Sequence, residues 1–476
     1  MSVSESRPHV VVLGAGPAGV GAAFQLTRKN AARVTVLEQG SGVGGNAGSF
    51  ELDGLRVDFG SHRLHPACEP HILRDLKELL GEDLLDRPRH GRIRLQGRWI
   101  HFPLKPVDLL LRLPTPFALG VVGDLARKVL PRRAAGEETF ATILERGLGR
   151  TICREFYFPY ARKLWGLEPQ QLSVTQAKRR ISGSSLGKMI RKVLSAVPGL
   201  KPPGAGRFFY PRRGYGQISE RLAETAQRAG AEFLFGAKVT GIEREGQRVA
   251  AVHFDRNGQT QTISGAQVWS TLPVTLLARG MRPAPPPEVM DAASRMDFRG
   301  MVLIYLVLET PQFTEYDAHY FPEESIAISR LSEPKNYCAA TEPQNLTVLC
   351  AELPCDPGSK EWEASDDALG HVLLHALERA GLPVRVPVRR VVTRKLRQAY
   401  PMYRRGYDEH FAKIDEWLAG LDGLLTFGRQ GLFAHDNTHH ALYMAYSAVD
   451  CLGPAGFDRA RWLAYRKEFE SHVVED

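Results

Sequence analysis

The apolar and polar positions of the chain fall into three recognisable patterns. HVVVLGAGPAGVGAAFQLTRKNAARVTVLEQ begins with a continuous apolar run, His9–Leu13. A glycine-rich turn, a helical segment and a second apolar strand, Val34–Leu37, follow, which is the outline of a βαβ unit. Strands return in AEFLFGAKVTGIEREGQRVAAVHF and GAQVWSTLP, and two further apolar runs, MVLIYLVLE (301–309) and LTVLCAEL (346–353), read as buried strands. Residues 107–130 are the longest apolar-rich region, but Arg112, Pro114, Pro116 and Asp124 interrupt them. They are therefore expected to form amphipathic helices over a core or pocket, with weak docking to a membrane surface as the lesser alternative and no bilayer span. Proline-rich stretches at 196–206 and 281–289 are expected connections.

The glycines of the first turn bring in chemistry. Gly14, Gly16 and Gly19 occupy the G-x-G-x-x-G positions. There the first makes the tight turn, the second lets backbone approach a pyrophosphate, and the third lets helix pack on strand. The helix N-terminus then offers free N–H groups to phosphate. Glu38, nineteen residues after Gly19, ends the second strand where a carboxylate can hold a ribose diol and disfavours a 2′-phosphate. A second glycine pair, Gly44-Gly45, suits a chain lying along an extended dinucleotide, so FAD is preferred to NAD.

Composition changes this picture little: 476 residues, 43% hydrophobic and 24% charged, describe an ordinary globular chain of two or three domains. The distribution of the +9 net charge says more. Residues 178–213 hold ten Lys or Arg and no acid, and residues 87–98 hold five Arg and no acid, which favours an anionic partner. No nucleic-acid motif accompanies the charge, so a small anionic molecule is expected and nucleic acid is not. Six scattered cysteines show neither C-x-x-C nor metal-ligand spacing, so they read as reduced thiols with no metal site. MSVSESRPHVVVLG has no basic n-region, and a cytoplasmic protein is expected. The oligomeric state stays open.

The motif followed by E-x5-GG resembles the flavoprotein group of amine oxidases, protoporphyrinogen oxidases and UDP-galactopyranose mutases. GGN (44–46) and FGSHRLHP (59–66) resemble the mutase pattern; GRWIHFPLKP (97–106), YARKLWGLEPQQLS (160–173) and FFYPRRGYGQI (208–218) resemble the bacterial protoporphyrinogen-oxidase-like branch. VWSTLP (268–273), SRLSEPKNY (329–337) and GRQGLFAHDNTHHALYMAYSA (428–448) extend the likeness along nearly the whole chain. In the closing motif His435, Thr438 and His439 stand where the group usually has Tyr, Met and an acid. Those departures count against mutase chemistry more than against FAD binding.

The resemblance implies an α/β fold (α+β overall). A Rossmann-type FAD-binding domain would be built from 1–75, 206–273 and 396–476, beside a mixed helical and sheet substrate domain from 76–205 and 274–395. It implies non-covalent FAD held by Gly14, Gly16, Gly19, Glu38, Gly44, Gly45, Asn46, Gly60, Ser61, Val239, Gly428, Arg429, Asn437 and Thr438. His62 is the expected catalytic group at the flavin's reactive edge, able as a neutral imidazole to donate to a flavin nitrogen or to shuttle a proton. Arg330 is expected to bind substrate in catalysis, helped by Arg63, His65, Trp165, His435 and Arg179 or Arg180, between which register does not choose. Tyr210, Tyr215, Tyr400 and Tyr403 read as core or interface residues. The implied function is an FAD-dependent oxidoreductase. It would take a hydride from a C–H next to an alcohol or amine on an anionic, nucleotide-linked or phosphorylated sugar-type substrate. A mutase using reduced FAD is the alternative, and a non-catalytic FAD-binding protein the third.

Overall fold

A computed structural model describes residues 7–102, 108, 112–127, 138–180 and 206–474. Much of the basic stretch 178–213, the proline-rich segment before residue 206 and parts of 107–130 lie outside the described residues. No described helix is long and apolar enough to cross a membrane.

Two sheets organise the chain. The first is a five-stranded parallel sheet in the order Leu424–Thr426, Gln267–Ser270, His9–Leu13, Arg33–Glu38, Glu232–Phe235. Its central strand is apolar at almost every position because both faces are covered. Val10 and Val12 point into a core shared with the helices Pro17–Arg28, Gln217–Arg228 and Thr438–Asp450. Val11 and Leu13 point the other way, into a core shared with Ile242, Val252 and Phe254 of a second, four-stranded sheet. The period of two along the strand thus serves two hydrophobic cores.

The second large sheet has seven strands, in the order Val388–Pro401, Phe298–Leu308, Thr347–Cys355, Arg330–Ser332, Ala318–Tyr320, Gly91–Leu95, Arg98–Phe102. Val302, Ile304, Leu306 and Leu308 face a core closed by the helix Asp366–Arg379, whose first turn is capped by Ser365 accepting the Ala368 N–H at 3.3 Å. Met301, Leu303, Tyr305 and Val307 face the other way, and Met301 and Leu303 reach the central cavity. The strand Val388–Pro401 runs through the expected 395/396 division. Its pairing with Phe298–Leu308 continues to Pro401, which holds residues 396–401 in the second sheet.

Candidate functional site

The turn after the first strand is shaped by sterics. Gly14 has φ +97°, and its N–H donates to Leu37 O at 2.8 Å. A Cβ on Gly19 would lie 1.9 Å from Gly14 O, so only glycine lets the helix seat against the turn. Gly16 is the N-cap of Pro17–Arg28, and a Cβ there would meet nothing within 4 Å. That open space belongs to a cavity of about 580 Å³. Glu38 lines it too, accepting the N–H of Ala15 at 2.8 Å and of Gly40 at 2.7 Å.

Gly45, at φ +51°, brings its Cβ direction to 3.3 Å from Gly16 Cα, and Asn46 beside it donates to Gln398 O at 3.2 Å. A second helix opens on the same cavity: Asn437 caps Thr438–Asp450, and both Asn437 and Thr438 line the space. Two helix N-termini, a backbone approach without a side chain and the Glu38 carboxylate beside the glycine turn fit an extended dinucleotide. Gly14, Gly16, Glu38, Gly45, Asn46, Gly60, Ser61, Arg429, Asn437 and Thr438 all line the cavity.

Gly19, Gly44 and Gly428 stand behind that wall and act through packing; a Cβ on Gly428 would sit 2.7 Å from Ala18 Cβ. Val239, on the strand Lys238–Glu245, packs against the core of the four-stranded sheet and is away from the cavity lining.

At the other end, Asp58 is buried and accepts from the Tyr210 hydroxyl at 2.6 Å, the Ser49 hydroxyl at 2.6 Å and the Tyr215 N–H at 2.8 Å. Burial raises its carboxyl pKa against the pull of these donors. The chain then turns at Gly60, φ +98°, and presents His62 to the cavity. The His62 ring stacks on Tyr215 at 5.3 Å, and its Nε2 lies 2.9 Å from Phe59 O. A carbonyl only accepts, so Nε2 carries the proton and Nδ1 keeps the lone pair. Burial lowers the ring's pKa, which favours the neutral form. The expected donation to a flavin nitrogen is therefore not what this tautomer offers from Nδ1; acceptance of a proton is.

Arg330 lines the cavity with a partner the sequence reading did not anticipate. Its Nε and Nη2 donate to Glu352 Oε1 at 2.9 and 2.7 Å, and the same oxygen accepts the Ser61 N–H at 2.9 Å. Arg63 also lines the cavity, but it is matched by Asp317 at 3.1 Å and bonded to the Tyr320 hydroxyl at 3.0 Å. His435 lines it and donates from Nε2 to Pro401 O at 2.7 Å. Trp165 is buried edge-on against His435 and Tyr400, behind the wall. His65 accepts the Ala67 N–H at 3.0 Å, outside the lining. Arg179 pairs at 3.3 Å with Asp436, a lining residue whose buried carboxylate also meets His472 at 3.2 Å. The side chain of Arg180 lies outside the described residues.

Tyr215 and Tyr400, read as core or interface, line the cavity; Tyr210 and Tyr403 are core. Glu352 and Tyr320 also line it, and the sequence reading missed them; Lys395 and Arg397 turn their side chains to the other face of the sheet, Lys395 opposite Val302 in the register and Arg397 at 5.6 Å over the Trp362 ring. A lone carboxylate inside LTVLCAEL was the available signal. Two arginines of the basic cluster 87–98 are engaged elsewhere: Arg92 lies over Trp99 and Tyr316 at 4.1 and 4.3 Å, and Arg94 pairs with Glu323.

The pattern of flavin-containing amine oxidoreductases matches residues 17–433. A phytoene dehydrogenase from Streptomyces griseus is 26% identical over 418 residues, 79% of this chain and 79% of that protein. Coproporphyrinogen III oxidase from Propionibacterium freudenreichii subsp. freudenreichii is 23% identical over 461 residues, 87% of this chain and 85% of that protein. Reduced UDP-galactopyranose mutase superposes with a TM-score of 0.78 over 93% of each chain, at 20% identity, a likeness of fold. With a dinucleotide cradle at one end of the cavity and a family pattern spanning most of its length, the chain belongs to the flavin-containing amine oxidoreductase family and is an FAD-dependent oxidoreductase.

Proposed function

We propose that the protein oxidises a C–H next to an alcohol or amine on an anionic substrate of the phosphorylated or nucleotide-linked sugar type. The observation that carries this reading is the lining of one cavity: the dinucleotide cradle, the neutral His62 and the Arg330 guanidinium share it. Bound FAD supplies the two-electron acceptor for the hydride leaving carbon. His62 Nδ1 takes the proton that leaves the substrate's O–H or N–H, so the product is a carbonyl or imine. Phe59, Leu164, Met301 and Leu303 give the cavity an apolar wall that keeps water from the reacting carbon. Dioxygen or another dissolved oxidant takes the electrons afterwards. A cytoplasmic setting accords with six cysteines that are all free thiols.

The test is an anaerobic titration of the yellow protein with sugar phosphates and nucleotide sugars. Bleaching of the flavin band by one of them is expected. Bleaching only by uncharged amines or apolar polyenes would sink the substrate assignment while leaving the redox class intact. A second reading, ring isomerisation of a nucleotide sugar by the reduced protein, draws on Asn46 and Arg330 lining the same cavity. It requires conversion of substrate without consumption of electrons.

A further inference from the structure

His62 and the ring it stacks on both hang from one buried carboxylate, that of Asp58. Asp58 Oδ2 accepts the Tyr210 hydroxyl at 2.6 Å, and the Tyr305 hydroxyl donates to the Asp58 backbone carbonyl at 2.7 Å. The short turn leading to His62 therefore starts from a fixed point. Oδ1 of the same carboxylate accepts the Tyr215 N–H at 2.8 Å.

Tyr215 stands between Gly214 and Gly216, which press its turn onto the strand pair Ser49–Leu52 and Leu55–Asp58. A Cβ on Gly214, at φ +84°, would lie 2.8 Å from Ser49 Oγ, and one on Gly216 would lie 2.5 Å from Ser49 N. The Gly216 N–H donates to Ser49 Oγ at 2.7 Å. The far end of the Tyr215 ring is tied as well, since its hydroxyl is hydrogen-bonded to the side chain of Thr438, the first residue of Thr438–Asp450. Segments far apart in the chain thus converge on one tyrosine. Its face carries the His62 imidazole, with 5.3 Å between ring centroids and 28° between planes.

A single hydrogen bond from Nε2 to Phe59 O would leave the imidazole able to swing about χ2, and a flipped ring offers the cavity a different edge. A stacked aromatic face removes that freedom, because tilting or flipping the ring breaks the contact. We propose that Tyr215 is a positioning residue for the reaction: it holds the His62 ring so that Nε2–H stays on Phe59 O and Nδ1 stays the proton acceptor. This inference rests on the proton-acceptor reading of His62 given above. The charged groups facing His62 are Asp58 and Glu352, which favour its protonated form, and Arg330, which opposes it. Tyr215 acts differently from these, by orienting the ring and keeping water from one of its faces.

The experiment is NMR of the FAD-loaded protein carrying ¹³C,¹⁵N-labelled histidine, with His62 assigned by its loss in His62→Ala. The ring nitrogens report the tautomer, and the Cε1–H resonance followed from pH 5 to 8 reports the pKa. Wild type is expected to show the Nε2–H tautomer at pH 7, a pKa below the ordinary value of about 6.5, and a Cε1–H resonance moved upfield by the Tyr215 ring. Tyr215→Phe keeps the aromatic face and should keep all three. Tyr215→Leu removes it and should give a mixture of tautomers, with the pKa moved up by about one. Flavin content and melting temperature check that Tyr215→Leu is folded; the upfield resonance in wild type and in Tyr215→Phe tests the stack without it. A flavin-bound Tyr215→Leu protein with the wild-type tautomer and pKa would overturn the role of Tyr215 and leave His62 as read. Loss of the tautomer in Tyr215→Phe, or no upfield resonance in wild type, would do the same. His62 protonated on Nδ1 at pH 7 in wild type would bring down the proton-acceptor reading, and this inference with it.

Discussion

Replacing Gly16 and Gly19 separately with alanine should damage the protein in opposite ways, although the two lie three residues apart on one turn. In Gly19→Ala the new methyl would start 1.9 Å from Gly14 O, whereas a carbon and a carbonyl oxygen rest at roughly 3.3 Å or more. The turn or the helix must therefore move by about 1.4 Å. The turn is held by the Gly14 N–H to Leu37 O bond of 2.8 Å, and the helix by its packing on Thr438–Asp450, so neither yields freely. Overpacking of this kind costs about 3 kcal/mol, and the better helix propensity of alanine returns about 1. A net loss of about 2 kcal/mol lowers the melting temperature of a domain of this size by roughly 4–8 °C.

Gly16→Ala meets nothing within 4 Å, so the apoprotein should stay within about 0.5 kcal/mol of wild type. Its methyl instead occupies the cavity where phosphate must approach the helix N-terminus. Losing one charge-assisted N–H contact there costs about 1.5–3 kcal/mol, or roughly 10- to 150-fold in the dissociation constant of FAD. Thermal unfolding of the apoproteins by circular dichroism and FAD rebinding by fluorescence quenching separate the two effects. A Gly16→Ala protein that binds FAD like wild type, or a Gly19→Ala apoprotein that melts with wild type, would refute the argument.

His62→Ala should retain its FAD and lose roughly 10²- to 10⁴-fold in turnover of whichever substrate bleaches the flavin; normal turnover would remove the proton-acceptor role. Asp436→Ala strands the buried Arg179 guanidinium and should cost about 3–5 kcal/mol, more than Asp436→Asn, as read by denaturant unfolding. Burial holds His319 down to about 3 and His440 to about 4. Both lie below the value of about 6.5 for an unfolded histidine, so the unfolded chain takes up protons first as pH falls. Their stabilisation is complete above pH ~6.5 and is lost as pH drops, towards about 4 for His440 and about 3 for His319. Melting temperatures measured from pH 7.5 to 5 should therefore decline, His319→Phe should flatten the slope, and a level profile in wild type would count against both assignments.

The cradle could be read from the sequence because its determinants are local. Gly14, Gly16, Gly19 and Glu38 fall within 25 consecutive residues, and each spacing corresponds to one steric or hydrogen-bonding demand. The inner wall could not be read in the same way. Arg330 and Glu352 face each other only because their strands pair antiparallel, with Arg330 opposite Glu352 in the register. An arginine judged without that pairing looks like an open anion anchor. The same limit applies to charge runs: residues 87–98 seemed to await a partner, yet Trp99, Tyr316 and Glu323 absorb Arg92 and Arg94. The tautomer of His62 was likewise out of reach, because it depends on where Phe59 O comes to lie.

The order of strands in the parallel sheet has a consequence for biogenesis. His9–Leu13 sits between Arg33–Glu38, made soon after it, and Gln267–Ser270, made more than 250 residues later; Leu424–Thr426 completes the edge. The helix that opens on the cavity from the far side begins only at Thr438. During synthesis, then, the glycine turn emerges early but lacks most of its neighbours until the ribosome has passed residue 438. Contacts so distant along the chain close slowly and leave apolar strand edges uncovered in the meantime. Nascent chains should depend on chaperone protection until release, and FAD should be captured as a late, post-translational event that locks the ends of the chain together.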